Sequence, residues 1–265
     1  MSASQEISKS TVRIECDVVG GGISVGTGFW FAFADTEKSG LPLLVTNKHV
    51  IENAINIRVR LNISSQKRPE LKFYDLKIDQ PSYFIQHPNP NIDICALPVM
   101  GLLEDLDSQG IRVENFFFTD RNFLNQQFVT PVEDVFMAGY PNGLWDSTNN
   151  RPIIRKGITA SSLLEDWQGR PEFMIDMACY GGSSGSPVFI MNEGSFATAN
   201  GIAMGNRFIF LGLLYAGPTI SANGSIDIVD VPTAARQVVN TKLMMNLGMV
   251  IKAEQLNALR PYLGI

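Results

Sequence analysis

Cysteine and histidine are both scarce: the 265 residues hold three Cys and two His. Cys16, Cys95 and Cys179 are odd in number and show no CxxC spacing, which argues against a disulfide framework and a structural zinc site. Two histidines without an HExxH pattern leave a metal-dependent hydrolase short of ligands, so no metal and no cofactor are expected. An excess of basic charge is missing too. The formal net charge of -5 argues against a nucleic-acid or anionic-membrane binder. The longest apolar run, residues 208–217, is too short to span a bilayer. The polar first ten residues lack the apolar stretch of a signal peptide. These absences together make a reducing cytoplasm the expected compartment.

What is present suits an ordinary globular chain, 45% hydrophobic and 18% charged. At this length it buries a sizeable core without cross-links. Alternation over Thr11–Val18 places Val12, Ile14, Cys16 and Val18 on one face. Ile55, Ile57, Val59 and Leu61 repeat the pattern, and period two predicts half-buried strands. Apolar runs at 25–34, 41–46 and 92–99 read as strands buried on both faces. Later strands are expected at 132–139, 153–161, 172–179, 187–191, 208–215 and 247–252. Asn142-Gly143, Asn200-Gly201 and Asn223-Gly224 suit tight hairpin turns. Helical spacing appears at 233–245 and 253–262, and a helix or loop at 100–110 divides the chain. Many short strands and a central break predict two similar β lobes.

The chemistry concentrates in Gly181-Gly182-Ser183-Ser184-Gly185-Ser186-Pro187. Such a cluster is commonly a plain turn. It also suits a nucleophilic serine whose glycine neighbours let backbone N–H groups converge on an oxyanion. Gly181 to Gly185 fits the G-x-S-x-G elbow of α/β-hydrolases, but that family places its His after the serine. Both histidines here precede it, which removes that reading and leaves the order His, Asp, Ser. His49 closes an apolar strand, a rigid mount for a base; a buried structural histidine is the plainer alternative. His87 opens the segment His87-Pro88-Asn89-Pro90, whose two prolines read as an extended surface loop, a poorer mount. Asp93 enters the apolar run 92–99, where burial calls for a partner and a histidine N–H is suitable; an exposed strand-start Asp is equally open at this point.

With these residues in order, the chain resembles the trypsin-like (chymotrypsin-fold) serine peptidases, closest to the protease domain of the HtrA/Deg type. Thr27-Gly28-Phe29 is similar to that family's opening strand, Thr46-Asn47-Lys48-His49-Val50 to its histidine motif and Asn91-Ile92-Asp93-Ile94 to its acid motif. Gly139-Tyr140-Pro141, Lys156-Gly157-Ile158 and the segment 176–187 follow in family order. The resemblance implies an all-β fold of two six-stranded antiparallel β-barrels with a short C-terminal helix. The first lobe is expected over 11–110, the second over 111–252 and the helix over 253–265. It implies a serine endopeptidase acting on a protein or peptide substrate, with His49 as base, Asp93 orienting it, Ser184 as nucleophile, and the N–H groups of Gly182 and Ser184 as oxyanion hole. By register, Ala178, Cys179 and Tyr180 border the S1 pocket, with Tyr215, Ala216 and Gly217 and residues 249–251 as further walls. None is acidic, so a small or apolar P1 residue is expected, although Asp227 and Asp230 fall in a nearby loop.

There are two departures from the family pattern, and only the first is expected to have an effect. Ser183 stands where digestive-type trypsins carry an acid that pairs with a newly cut N-terminus, so activation by such a cut is not expected. Ser186 stands where glycine is commoner. The residues after Val250 leave room for one helix, so no PDZ module is expected. The other reading of this resemblance is a catalytically silent protease-fold module serving a larger system.

Overall fold

The computed structural model describes residues 3–34, 40–65, 67–125, 127–226 and 237–265. Nine strands build the first sheet: β1 (Thr11–Val18), β2 (Ile23–Phe33), β3 (Leu41–Thr46), β4 (Ala54–Ser65), β5 (Phe73–Ile78), β6 (Ile85–Gln86), β7 (Cys95–Pro98), β8 (Ile111–Val113) and β9 (Phe118–Thr119). Its main path runs β5-β4-β1-β2-β3-β7-β6, with β8 on β4 and β9 parallel to β2. β8 and β9, which follow residue 110, pair into this sheet off its main path.

Alternation sets which face is buried. Ile14 and Cys16 on β1 and Ile57, Val59, Leu61 and Ile63 on β4 fill one cluster around Trp30. Ile55, expected on that face, is 51% exposed instead. The β1–β4 register shifts between Asp17 and Val18, so Ala54 takes the inward position. A one-residue shift turns a side chain to the opposite face.

The second lobe contains β10 (Asp134–Gly139), β11 (Ile153–Thr159), β12 (Glu172–Asp176), β13 (Pro187–Asn192), β14 (Ser195–Thr198), β15 (Gly201–Met204), β16 (Arg207–Ala216), β17 (Thr219–Ile226), β18 (Gln237–Met244) and β19 (Leu247–Lys252). Six of them close a barrel in the order β10-β11-β12-β19-β16-β13. Val135, Met137, Phe173, Ile175, Val188, Ile190, Ile209 and Val250 fill it. The pairs β14–β15 and β17–β18 stand apart as two-stranded ribbons.

Three expectations change here. Gln237–Met244 is a strand paired with β17, where helical spacing had been read; residues 233–236 lie outside the described residues. Val238, Val239 and Thr241 are β-branched and favour the extended state that the pairing supplies. Asn223-Gly224 sits within β17 opposite Asn240 and Val239, so it is no turn. Thr198 pairs with Gly201, which makes Ala199-Asn200 the hairpin loop there. Met100–Ser108 is helical, as the central break suggested.

A phenylalanine seam joins the lobes. Phe118 of β9 lies 5.7 Å from Phe29 in the first lobe and 4.7 Å from Phe210 in the second, ring centre to ring centre. Phe189, Leu213 and Ile251 belong to the same buried cluster, with Ala253, Leu256 and Leu259 from the chain's end. Each fully buried Phe of this kind contributes about 1.5–3 kcal/mol. The end forms a 3-10 turn, Ala253–Leu259, then a short helix, Arg260–Leu263, closed by Gly264 at φ 74°. Among the described residues, no helix is long and apolar enough to cross a membrane.

Candidate active site

His49 sits in a single helical turn, Lys48–Ile51, directly after β3. Buried Asn47 precedes it in extended conformation, and its Nδ2 donates to the Asp93 carbonyl at 2.6 Å. Asp93 lies just before β7, outside the ladder, which begins at Cys95 and not at Ile92. Its carboxylate meets His49 twice. Oδ2 accepts from the ring Nδ1, and Oδ1 accepts from the backbone N–H at 3.2 Å. With Nδ1 donating, the other ring nitrogen is left as acceptor. The His49 side chain is 42% exposed and that of Asp93 21%, so the acid lies deeper than the ring it holds.

His87 behaves differently from the sequence expectation. It is 6% exposed, and its N–H donates to the Ile94 carbonyl at 2.9 Å. The loop is anchored by Lys48, whose Nζ donates to the His87 and Asn89 carbonyls at 3.1 and 3.2 Å. Burial, reinforced by the Lys48 charge, holds the His87 imidazole below its ordinary pKa. No carboxylate among the described residues meets it, whereas His49 has Asp93.

The serine segment leads into β13 and is fixed mainly through its carbonyls. The Ser184 carbonyl accepts from Thr27 N–H at 2.9 Å. Gly185 N–H donates to Leu214 at 2.8 Å, and Leu214 N–H donates back to Ser186 at 2.9 Å. The Gly181 carbonyl accepts from Asn142 N–H at 2.6 Å and the Ser183 carbonyl from Ser186 N–H at 3.0 Å. A trans peptide points its C=O and its N–H in opposite directions. These two bonds therefore aim the N–H groups of Gly182 and Ser184 away from Asn142 and Ser186. Neither N–H is bonded to any acceptor among the described residues. Gly182 adopts φ +81°, and a Cβ there would lie 2.5 Å from the Tyr140 carbonyl. Only glycine meets both demands without displacement.

Thr27 connects the two halves. Its carbonyl accepts from Thr46 Oγ1 at 2.7 Å, three residues before His49, while its N–H holds Ser184. Its hydroxyl donates to the Gly182 carbonyl at 3.0 Å. Thr27 was noted in the sequence only as part of a strand landmark, since nothing local marks a hydroxyl whose partners lie over a hundred residues away.

Of the expected S1 residues, Tyr180 is exposed, Ala178 half-buried and Cys179 buried in the barrel core. Burial pushes the Cys179 thiol up to about 11. Tyr215 leans on the interlobe cluster and donates its hydroxyl to Glu172 at 2.9 Å. Desolvation, then Glu172, raise the Tyr215 phenol to about 12. Ala216 is exposed and Gly217 half-buried, whereas Asp227 and Asp230 lie outside the described residues. Arg155, unmarked by the sequence reading, reaches this region from β11. One guanidinium nitrogen donates to the Ala178 carbonyl and the other to Ser183 Oγ.

Two β lobes, a histidine–aspartate pair on one and a glycine-flanked serine on the other define the chymotrypsin type of fold. Residues 26–197 match the family model of the trypsin-like peptidase domain, well over half of the chain, and the chain belongs to that family. No curated protein sequence matches the chain significantly. Among solved structures, it is similar to the active form of the Rv3671c protease from M. tuberculosis, with 16% identity, a TM-score of 0.48, and coverage of 99% of this chain and 83% of that one. The serine endoprotease from Yersinia pestis shares 14% identity at a TM-score of 0.48, covering 99% and 66%. Deg5 shares 17% identity at a TM-score of 0.47, covering 80% and 81%.

Proposed function

We propose that this protein is a serine endopeptidase working through His49, Asp93 and Ser184. The observation that carries the reading is the double hold of the Asp93 carboxylate on His49, at the ring Nδ1 and at the backbone N–H. Ser184 Oγ is a weak nucleophile unaided and needs an imidazole to take its proton as it attacks a peptide carbonyl. Asp93 keeps His49 in the tautomer whose free nitrogen accepts that proton and stabilises the imidazolium. The N–H groups of Gly182 and Ser184 take the oxyanion, each worth about 3–4 kcal/mol in related enzymes. The imidazolium then protonates the leaving amine, and water releases the acyl group from Ser184 by the same route. The triad roles are those of the general template for this class.

An extended peptide would lie along β16. Its ladder with β13 ends at Leu213 while that with β19 continues to Ala216, which leaves an edge for backbone pairing. A small or apolar P1 residue suits Ala178 and Tyr180, and the Arg155 cation beneath the Ala178 carbonyl disfavours Lys or Arg there. A reducing compartment, the cytoplasm, fits three buried cysteines that are all free.

The test is labelling with a fluorophosphonate probe, comparing the wild type with Ser184→Ala. Labelling confined to wild type supports the proposal; a folded wild type that stays unlabelled overturns it. His49→Ala should abolish labelling and His87→Ala should keep most of it.

A further inference from the structure

The face of β11 that looks into the second barrel carries one charged residue where an apolar one would be ordinary. Arg155 pairs in register with Met137, a fully buried core residue, while its neighbours Ile154 and Lys156 are exposed on the outer face. The other arginines that reach into buried surroundings have carboxylates: Arg207 lies 2.6 Å from Glu133, and Arg13 pairs with Glu15. Arg155 forms no ion pair with a described residue, and its Nε is buried without a hydrogen-bond partner. Burial pulls its guanidinium below the ordinary arginine range, offset only by Cys179 and Tyr180, and the group still remains protonated.

A cation left unpaired in such a place is costly unless its hydrogen bonds are strong and directed. Both of its bonds go to the serine segment. They reach the Ala178 carbonyl at one end and, at 2.8 Å, the buried Ser183 hydroxyl that separates Gly182 from Ser184. Ser183 Oγ also accepts the Tyr180 N–H at 3.4 Å, so the arginine and the backbone meet at one oxygen. Charge-assisted bonds of this kind are stiffer and stronger than neutral ones.

Building on the endopeptidase reading, we infer that Arg155 is a positioning residue: its guanidinium clamps Ala178 to Ser183 and thereby holds the Gly182 and Ser184 N–H groups ready for the oxyanion. The clamp is internal to the second lobe. It needs no free N-terminus and no partner chain to supply a charge. Because the clamped N–H groups meet charge only in the tetrahedral intermediate, loss of the clamp lowers turnover and leaves ground-state binding almost intact.

The test uses the full chain with p-nitrophenyl acetate as substrate, the fluorophosphonate labelling rate as a second readout and the thermal midpoint as a fold control. Arg155→Met should lower kcat by about 10–100-fold while KM stays within about twofold. Ser183→Ala, which keeps the cation and removes its acceptor, should lower kcat in the same direction. The double variant should be no slower than Arg155→Met, as expected for two parts of one clamp. Arg155→Lys should recover part of the lost turnover. A folded Arg155→Met with wild-type kcat overturns the inference and leaves the endopeptidase reading standing. If Arg155→Met does not fold, Ser183→Ala decides: a fall in kcat at unchanged KM supports the clamp, and wild-type kcat overturns it. A wild type inert in both assays overturns the endopeptidase reading and this inference with it.

Discussion

Thr27 Oγ1 donates to the Gly182 carbonyl at 3.0 Å, across 155 residues of sequence. The same oxygen accepts from Tyr140 N–H and Ser186 Oγ, each at 3.3 Å. One fully buried hydroxyl thus ties the first lobe to three points of the second, all close to the serine.

Thr27→Val keeps the volume and removes all three bonds. Leaving a buried donor or acceptor unsatisfied costs about 1–3 kcal/mol. The thermal midpoint should fall and fluorophosphonate labelling should slow, with Thr27→Ser restoring most of both. A Thr27→Val protein with wild-type midpoint and labelling rate would contradict this account of the junction.

Gly182→Ala puts a methyl group 2.5 Å from the Tyr140 carbonyl on a backbone at φ +81°. The loop must shift, taking the 182 N–H with it. Labelling of Ser184 should slow by about 10²-fold or more, the effect of losing one such donor. Gly181→Ala is the control, because its methyl group meets nothing nearer than Asn142 Oδ1 at 3.9 Å. Equal rates for the two variants would count against the assignment of the hole.

Asp93→Asn preserves shape while replacing the acceptor that sets the His49 tautomer. By precedent for this triad, kcat should drop by about 10⁴-fold with KM little changed. Ester hydrolysis gives the rate and circular dichroism checks the fold. A loss smaller than tenfold would mean that Asp93 does not orient the base.

His87 gives stability a pH dependence. Its pKa is depressed in the folded state, chiefly by desolvation, so the unfolded chain binds the proton more readily. The stability it contributes is complete above the unfolded value of about 6.5 and is lost as pH falls through the lowered folded value. His87→Gln should therefore lose less in thermal midpoint than the wild type on acidification from neutral pH. An identical acid slope in both proteins would refute this.

The three thiols should be silent in the native protein. All are buried, and desolvation raises Cys16 and Cys179 to about 11 and Cys95 further still. An aromatic disulfide reagent at mildly alkaline pH should release almost nothing before denaturant is added and three equivalents afterwards. Rapid native reaction of any one would show that its pocket opens.

Much of this was legible in the chain itself. Thr11–Val18, Leu41–Thr46 and Leu247–Lys252 run as their patterns predict, because a strand with one or both faces buried leaves its period in the side chains. The pairing of His49 with Asp93 was implied by the family resemblance, which two local motifs carry. Residues 88–91 are exposed, as their prolines suggested, but His87 itself is buried, and the Lys48 contacts that hold the loop are tertiary. Thr27 and Arg155 went unseen as functional residues for a related reason. Their partners are backbone groups and small serine hydroxyls, which are common along the chain, so no distinctive residue type at the far end marks the contact. The strand at Gln237–Met244 shows the limit of periodicity where β-branched residues fall at helical spacing.

The phenylalanine seam has a mechanical consequence. Phe118 is held by β2 of the first lobe through parallel pairing at Phe31 and stacks on Phe208 of the second, 5.7 Å away. Parting the lobes would tear that ring from one side or the other and expose a file of aromatic faces to water. The seam therefore resists separation of the two halves.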